Sequence, residues 1–236
     1  MTMPAVALLA GGLATRLRPI TENIPKAMVE VAGEPFIAHQ LRKCAREGVD
    51  RIVICAGYLG EMIEAYVGDG AVFGIEARYS HDGERLLGTG GALKRALPLL
   101  GETFVILYGD SWLDVTYQPI ADAFQNSGKQ GLMTVFRNDS NWDTSNVEFS
   151  GGAVINYNKR LRTPAMRYID WGMGLLSSEA LREWPNDTPF DLADVYTSLL
   201  QKDQLVGHEV ETRFYEIGSP QGLAETDRLL RKFKKY

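Results

Sequence analysis

Short apolar runs alternate with amphipathic stretches through the first half of the chain. Residues 5–10, 51–56 and 104–108 are almost unbroken apolar runs, which suits strands covered on both faces, as in a parallel sheet. Helical patterns lie between them. Residues 36–47 follow Pro35 and place Phe36, Ile37, Gln40, Leu41, Cys44 and Ala45 on one face. Residues 88–99 and 119–126 repeat the pattern. This alternation predicts an α/β fold of right-handed βαβ units, with helices on both sides of the sheet.

The pattern changes after residue 130. Residues 132–137, 147–149, 153–157 and 167–169 read as strands without long helices between them, a mixed extension of the same sheet. Helices return at 178–184 and 191–201. A last helix is signalled by Ser219 as N-cap, Pro220 in the first turn, and Leu223, Leu230 and Phe233 on one side. With no linker, repeat or low-complexity segment, residues 1–236 read as one domain.

Composition narrows the class. The 236 residues are 45% hydrophobic and 23% charged, enough to bury a core. A net charge of −5 without a dominant basic patch argues against a nucleic-acid partner. The basic residues Arg231, Lys232, Lys234 and Lys235 read as charges placed at the negative end of a helix. Cys44 and Cys55 sit among apolar residues and read as buried small hydrophobes. The run 4–10 has no basic residue before it, unlike a secretion leader, and no apolar run reaches membrane-spanning length. The expectation is a soluble, cytoplasmic protein without a membrane partner, with assembly into homo-oligomers left open. His39, His81 and His208 are isolated, so no zinc site is expected. Trp112, Trp142, Trp171 and Trp184 read as core; Trp171 is the one placed to act as a substrate platform, because it adjoins Asp170.

The strongest local signal is Leu9-Ala10-Gly11-Gly12-Leu13-Ala14-Thr15-Arg16-Leu17-Arg18-Pro19, followed by Pro25-Lys26. An apolar strand runs into paired glycines, and ligand crevices lie beyond the carboxyl ends of such strands. Glycines let backbone N–H groups approach phosphate, Thr15 adds a hydroxyl, and Arg16 and Lys26 add positive charge. From these residues alone, a strand-ending turn with solvated Arg and Lys fits equally well.

The segment resembles the signature of the sugar-phosphate nucleotidyltransferase family, and three others resemble that family in the same order. They are Leu87-Gly88-Thr89-Gly90-Gly91-Ala92, Tyr108-Gly109-Asp110 and Glu216-Ile217-Gly218-Ser219-Pro220. The resemblance implies a Rossmann-like three-layer αβα sandwich with a mixed, mostly parallel sheet. It implies transfer of a nucleoside monophosphate from a nucleoside triphosphate to a sugar 1-phosphate, with release of pyrophosphate and Mg²⁺ as cofactor. The roles it implies are catalytic for Arg16, Lys26 and Asp110, and metal-binding for Asp110 and Glu216. Ala10, Gly11, Gly12, Thr15, Gly88 and Thr89 would bind nucleotide. Gly109, Lys159, Asp170 and Gly172 would bind the acceptor.

The chain departs from the family pattern at three positions. Glu216 replaces the usual aspartate but remains a hard oxygen donor. Asn158 stands where a glutamate commonly contacts sugar hydroxyls, which leaves the sugar open. Ala14 replaces a glycine, and alanine disfavours positive φ, so a right-handed or extended backbone is expected there. The glycine segments most resemble heptose-1-phosphate guanylyltransferases, which puts GTP and a heptose or hexose 1-phosphate first, with CTP and UTP following. A nucleotide-sugar sensor on the same fold is the alternative from another class. Because the sequence ends at Tyr236, the C-terminal β-helix of larger family members is not expected.

Overall fold

A computed structural model describes residues 3–233. Its strands are β1 (Ala5–Leu9), β2 (Glu30–Val31), β3 (Glu34–Pro35), β4 (Arg51–Ala56), β5 (Glu76–His81), β6 (Thr103–Tyr108), β7 (Ser111–Trp112), β8 (Gly131–Arg137), β9 (Val147–Ser150), β10 (Ala153–Tyr157), β11 (Tyr168–Ser177), β12 (Leu205–Val210) and β13 (Tyr215–Glu216). Its helices are α1 (Phe36–Arg46), α2 (Gly60–Val67), α3 (Gly88–Leu100), α4 (Gln118–Ser127), α5 (Leu192–Gln201) and α6 (Pro220–Phe233).

The main sheet runs β10-β9-β11-β6-β1-β4-β5, with β8 on β11 and β12 on β8. β6, β1, β4 and β5 are mutually parallel. β11 joins β6 antiparallel and turns the sheet mixed. Each central strand feeds two cores, because successive side chains point to opposite faces. Val6, Leu8, Ile52, Ile54, Val105 and Leu107 pack with residues of α1, α2 and α4. Ala5, Ala7, Val53, Cys55, Phe104 and Ile106 pack with residues of α3 and α5. The predicted three-layer arrangement is therefore present, and its apolar runs are strands covered on both sides.

The differences from the sequence expectations are local. α2, β5 and β12 were not anticipated. α2 is eight residues long and enters through Leu59 in the left-handed region, so it carries no capping signal. β11 spans ten residues instead of the expected 167–169. A bulge between Asp170 and Gly174 breaks its alternation, with Gly172 at φ +99°. The expected helix at 178–184 is only a 3₁₀ segment, Ser178–Leu181. Ser219 does cap α6: its hydroxyl accepts the Gly222 N–H at 3.0 Å. Arg231 and Lys232 lie in the last turn of α6, whereas Lys234 and Lys235 fall outside the described residues. Cys44 and Cys55 are buried, and burial pushes both thiols up to about 12. Trp171 is core, 1% exposed, with its indole N–H donated to the Thr212 carbonyl at 2.7 Å. Trp142, by contrast, is 49% exposed. No helix among the described residues is long and apolar enough to cross a membrane.

Candidate active site

The carboxyl ends of three parallel strands meet almost backbone to backbone. Ala10 N–H donates to the Cys55 carbonyl and Gly109 N–H to the Leu9 carbonyl, each at 2.9 Å. A side chain on Gly109 would stand 2.8 Å from the Leu9 carbonyl oxygen, and one on Gly11 would stand 3.1 Å from Gly57 N. Close approach requires glycine at 109 and leaves little room beside Gly11. A Cβ on Gly12 would meet nothing within 4 Å, so that backbone faces open space. Beyond these ends lies a cavity of about 210 Å³, lined in part by Ala10, Gly11, Gly12, Lys26, Gly88, Thr89, Gly109 and Asp110. It thus gathers eight of the fourteen residues singled out in the sequence.

Thr15, Arg16 and Leu17 form a 3₁₀ turn that leaves Thr15 and Arg16 exposed and buries Leu17. Contrary to expectation, Ala14 is left-handed, at φ 50° and ψ 40°. Its carbonyl accepts the Thr21 hydroxyl at 2.7 Å and Leu17 N–H at 3.1 Å. Those bonds and the buried Leu17 hold a conformation that alanine alone disfavours by roughly 1–2 kcal/mol.

Lys26 Nζ lies 2.9 Å from Asp110 Oδ2, with both side chains partly exposed. The other Asp110 oxygen accepts the Ser111 hydroxyl at 3.2 Å. β13 pairs with β7, setting Glu216 opposite Ser111, and Ile217 N–H donates to the Asp110 carbonyl at 2.9 Å. Glu216 therefore sits beside Asp110, but its longer side chain folds back on the start of α6. There it accepts the Gly218 N–H and the Ser219 hydroxyl. A Cβ on Gly218 would stand 2.8 Å from Glu216 Oε2, 3.1 Å from Arg16 Nη2 and 3.4 Å from Lys26 Nζ. Gly218 thus leaves free a point on which two cations and a carboxylate converge.

No group of three or more His, Cys, Asp or Glu is gathered for a metal among the described residues. The donor set still fits Mg²⁺, which is usually held by one or two carboxylates together with phosphate oxygens and water. Asp110, in the turn before β7, and Glu216, on β13, are two hard carboxylates on adjacent segments.

Of the acceptor residues of the sequence reading, Gly109 lines the cavity, whereas Lys159, Asp170 and Gly172 group together outside its lining. The β11 bulge brings Gly172 beside β6, where a Cβ would stand 3.7 Å from Tyr108 Cδ2 and from Ser111 Oγ. Burial raises the Asp170 carboxyl above its ordinary range, opposed by Lys159 and by the Gly172 N–H at 3.2 Å. Asn146 joins this group together. Its side-chain oxygen accepts Asp170 N–H at 3.0 Å, and its carbonyl accepts Asn158 N–H at 3.0 Å. Asn158 turns its side chain onto its own loop, accepting N–H groups of Arg160 and Leu161 at 2.8 and 2.7 Å. Lys159 Nζ rests 3.4 Å from Asp191 Oδ1.

The sequence reading did not single out Asp82, Tyr108, Asn146 or Asp191 for a site. Asp191 caps α5 through Ala193 N–H at 2.8 Å and accepts the Thr89 hydroxyl at 3.2 Å. Thr89 Oγ also takes Leu192 N–H at 2.8 Å, so this hydroxyl is committed to the start of α5. Asp82 lines the cavity and is 6% exposed; burial raises its carboxyl, opposed by the Leu87 N–H at 3.0 Å.

The nucleotidyl transferase family model matches residues 5–146. The chain is 29% identical to an N-acetylmuramate alpha-1-phosphate uridylyltransferase of Caulobacter vibrioides, over 96% of this chain and 97% of that one. It is 26% identical to the mannose-1-phosphate guanylyltransferase catalytic subunit beta of Xenopus tropicalis, over 90% of this chain but 61% of that longer one. Its fold is shared with HddC from Yersinia pseudotuberculosis, solved with GMP-PN. The TM-score is 0.81 at 23% identity, covering 97% of this chain and 100% of that one. With its glycine cradle, the cation pair behind it and a family match over more than half its length, the chain belongs to the nucleotidyl transferase family.

Proposed function

We propose that this protein joins a nucleoside triphosphate to a sugar 1-phosphate, releasing pyrophosphate and forming a nucleotide sugar. The observation that carries the reading is the convergence of Arg16, Lys26 and Glu216 at Gly218, with Asp110 bound to Lys26. Transfer to a phosphate acceptor needs in-line placement and charge neutralisation more than covalent catalysis. The open backbone at Gly12, beside the closely packed Gly11, receives the triphosphate, while Arg16 and Lys26 stabilise charge building on the departing pyrophosphate. Asp110 and Glu216 would hold Mg²⁺, which neutralises phosphate charge when bound. Lys159 meets the acceptor phosphate, and Gly109, Asp170 and Gly172 bound the sugar. The acceptor oxygen attacks the α-phosphorus, and no covalent enzyme intermediate is needed.

GTP is the donor we favour. Asp82 supplies a buried carboxyl with oxygen acceptors on the cavity wall near Gly88. A guanine edge offers adjacent ring N–H and exocyclic NH₂ donors to such a group, whereas uracil offers one N–H. UTP is the second reading, favoured by the full-length uridylyltransferase relative. Pyrophosphate release with each triphosphate against hexose, heptose and N-acetylated sugar 1-phosphates, with Mg²⁺, tests the proposal. Retained tight nucleotide binding with no release for any pair would instead indicate a sensor.

A further inference from the structure

Arg213 lies between two aromatic rings. Its guanidinium carbon is 3.5 Å from the Trp142 ring centroid and 4.3 Å from that of Tyr215. Its position is fixed by Glu225 of α6 at 2.8 Å and by the Phe214 carbonyl at 3.2 Å. We propose that Arg213 is a positioning residue that fastens the acceptor-side loop 138–146 to the strand carrying Glu216.

Both ends of this connection can be followed through named bonds. At its outer end the loop offers Trp142, half exposed and held by the stack. At its inner end Asn146 bonds to Asp170 and to the residue before Lys159. Between them the loop is knit into a unit. The fully buried Asn138 donates to the Asp143 carbonyl at 2.6 Å and to Ser145 Oγ at 3.2 Å. It also accepts Trp142 N–H at 3.3 Å, while Ser140 N–H donates to Ser145 Oγ at 3.0 Å. A shift at Trp142 is therefore carried to Asn146. On the other side, Tyr215 is the residue before Glu216, and β13 pairs with β7 directly after Asp110. The stack thus ties the acceptor-side residues to the metal-side carboxylates. A guanidinium placed over both rings is favoured electrostatically, and a lysine, a compact point charge, does not reproduce that contact.

The inference rests on the acceptor and metal roles proposed above, and its test separates the two. Arg213→Ala and Trp142→Ala should each raise KM for the sugar 1-phosphate by about 10-fold and raise the Mg²⁺ concentration needed for half-maximal rate. The Kd for nucleotide should stay within about 2-fold, Trp142→Phe should restore most of the loss, and Arg213→Lys should not. The double Ala variant should lose little more than either single one, because both remove the same contact. Hydrogen exchange read without substrate should quicken at 138–146 and at 214–217 in Arg213→Ala. Multiplying losses, or equal changes in sugar KM and nucleotide Kd, would overturn the inference even with an active wild type. Unchanged exchange at either segment would overturn it whether or not the wild type turns over. Absence of pyrophosphate release by the wild type would count against the proposed function alone.

Discussion

Lys26 and Asp110, 84 positions apart in sequence, form an ion pair 2.9 Å long on the lining of the cavity. Each is the nearest counter-charge to the other, so changing one alters the setting of both. Asp110→Asn should abolish turnover while leaving the denaturation midpoint within a few degrees, since a partly exposed pair contributes only about 1 kcal/mol or less. Turnover within a few-fold of wild type at saturating Mg²⁺ would remove Asp110 from the site.

Arg16 faces the point at Gly218, whereas Arg18 is exposed beyond the 3₁₀ turn. Arg16→Ala should lower kcat/KM by roughly 10²-fold, the scale of one lost transition-state donor, and Arg18→Ala far less. Equal losses in steady-state assays would mean that the phosphate loop has been misread.

Lys159 rests on Asp191 rather than on any group of the glycine loop. Lys159→Ala should raise KM for the sugar phosphate and lower kcat, with calorimetric Kd for nucleotide little changed. A tenfold weaker nucleotide, with acceptor KM unmoved, would reassign it to the triphosphate. Arg160 follows directly on the same exposed loop, so the double variant belongs beside the single ones.

Asp82→Asn keeps an oxygen for Leu87 N–H but replaces a carboxylate with an amide. It should cut kcat/KM for GTP by about 10- to 100-fold, consistent with roughly 1–3 kcal/mol for a paired base edge, and leave UTP nearly unaffected. Parallel losses for both donors would make Asp82 a structural residue.

Burial raises the Asp170 carboxyl above its ordinary 3.8. A carboxyl raised in the folded state contributes stability that is fully present below about pH 3.8 and is lost as pH rises through the folded value. Asp170→Asn should therefore have the higher urea midpoint at pH near 7, with the gap to wild type closing towards pH near 4. A gap independent of pH would show that ionisation of Asp170 is not its source.

The sheet was legible because its central strands are apolar on both faces, as in Ile52 to Cys55, and two-sided burial leaves a continuous run. Edge strand β5 interrupts Ala77 and Tyr79 with Glu76, Arg78, Ser80 and His81 and gave no such run. The glycine loop and the Gly109-Asp110 turn were visible as local patterns. The ties between distant segments were not, because nothing local in Asp191 or Asn146 reports that Thr89, Lys159 and Asp170 will meet them. Ala14 was misread because its conformation is imposed by the hydroxyl of Thr21 and the burial of Leu17.

β13 and α6 come from the last part of the described chain, yet they finish a site begun by β1. α6 packs against β2, and Asp227 accepts Ala32 N–H at 2.7 Å. During synthesis the cradle at Gly11 and the carboxylate of Asp110 emerge long before Glu216. A nascent chain halted ahead of Tyr215 would hold the glycine cradle without its second carboxylate or the loop anchor beside it. The candidate site therefore depends on β13 and α6 docking against β7 and β2, segments far earlier in the chain.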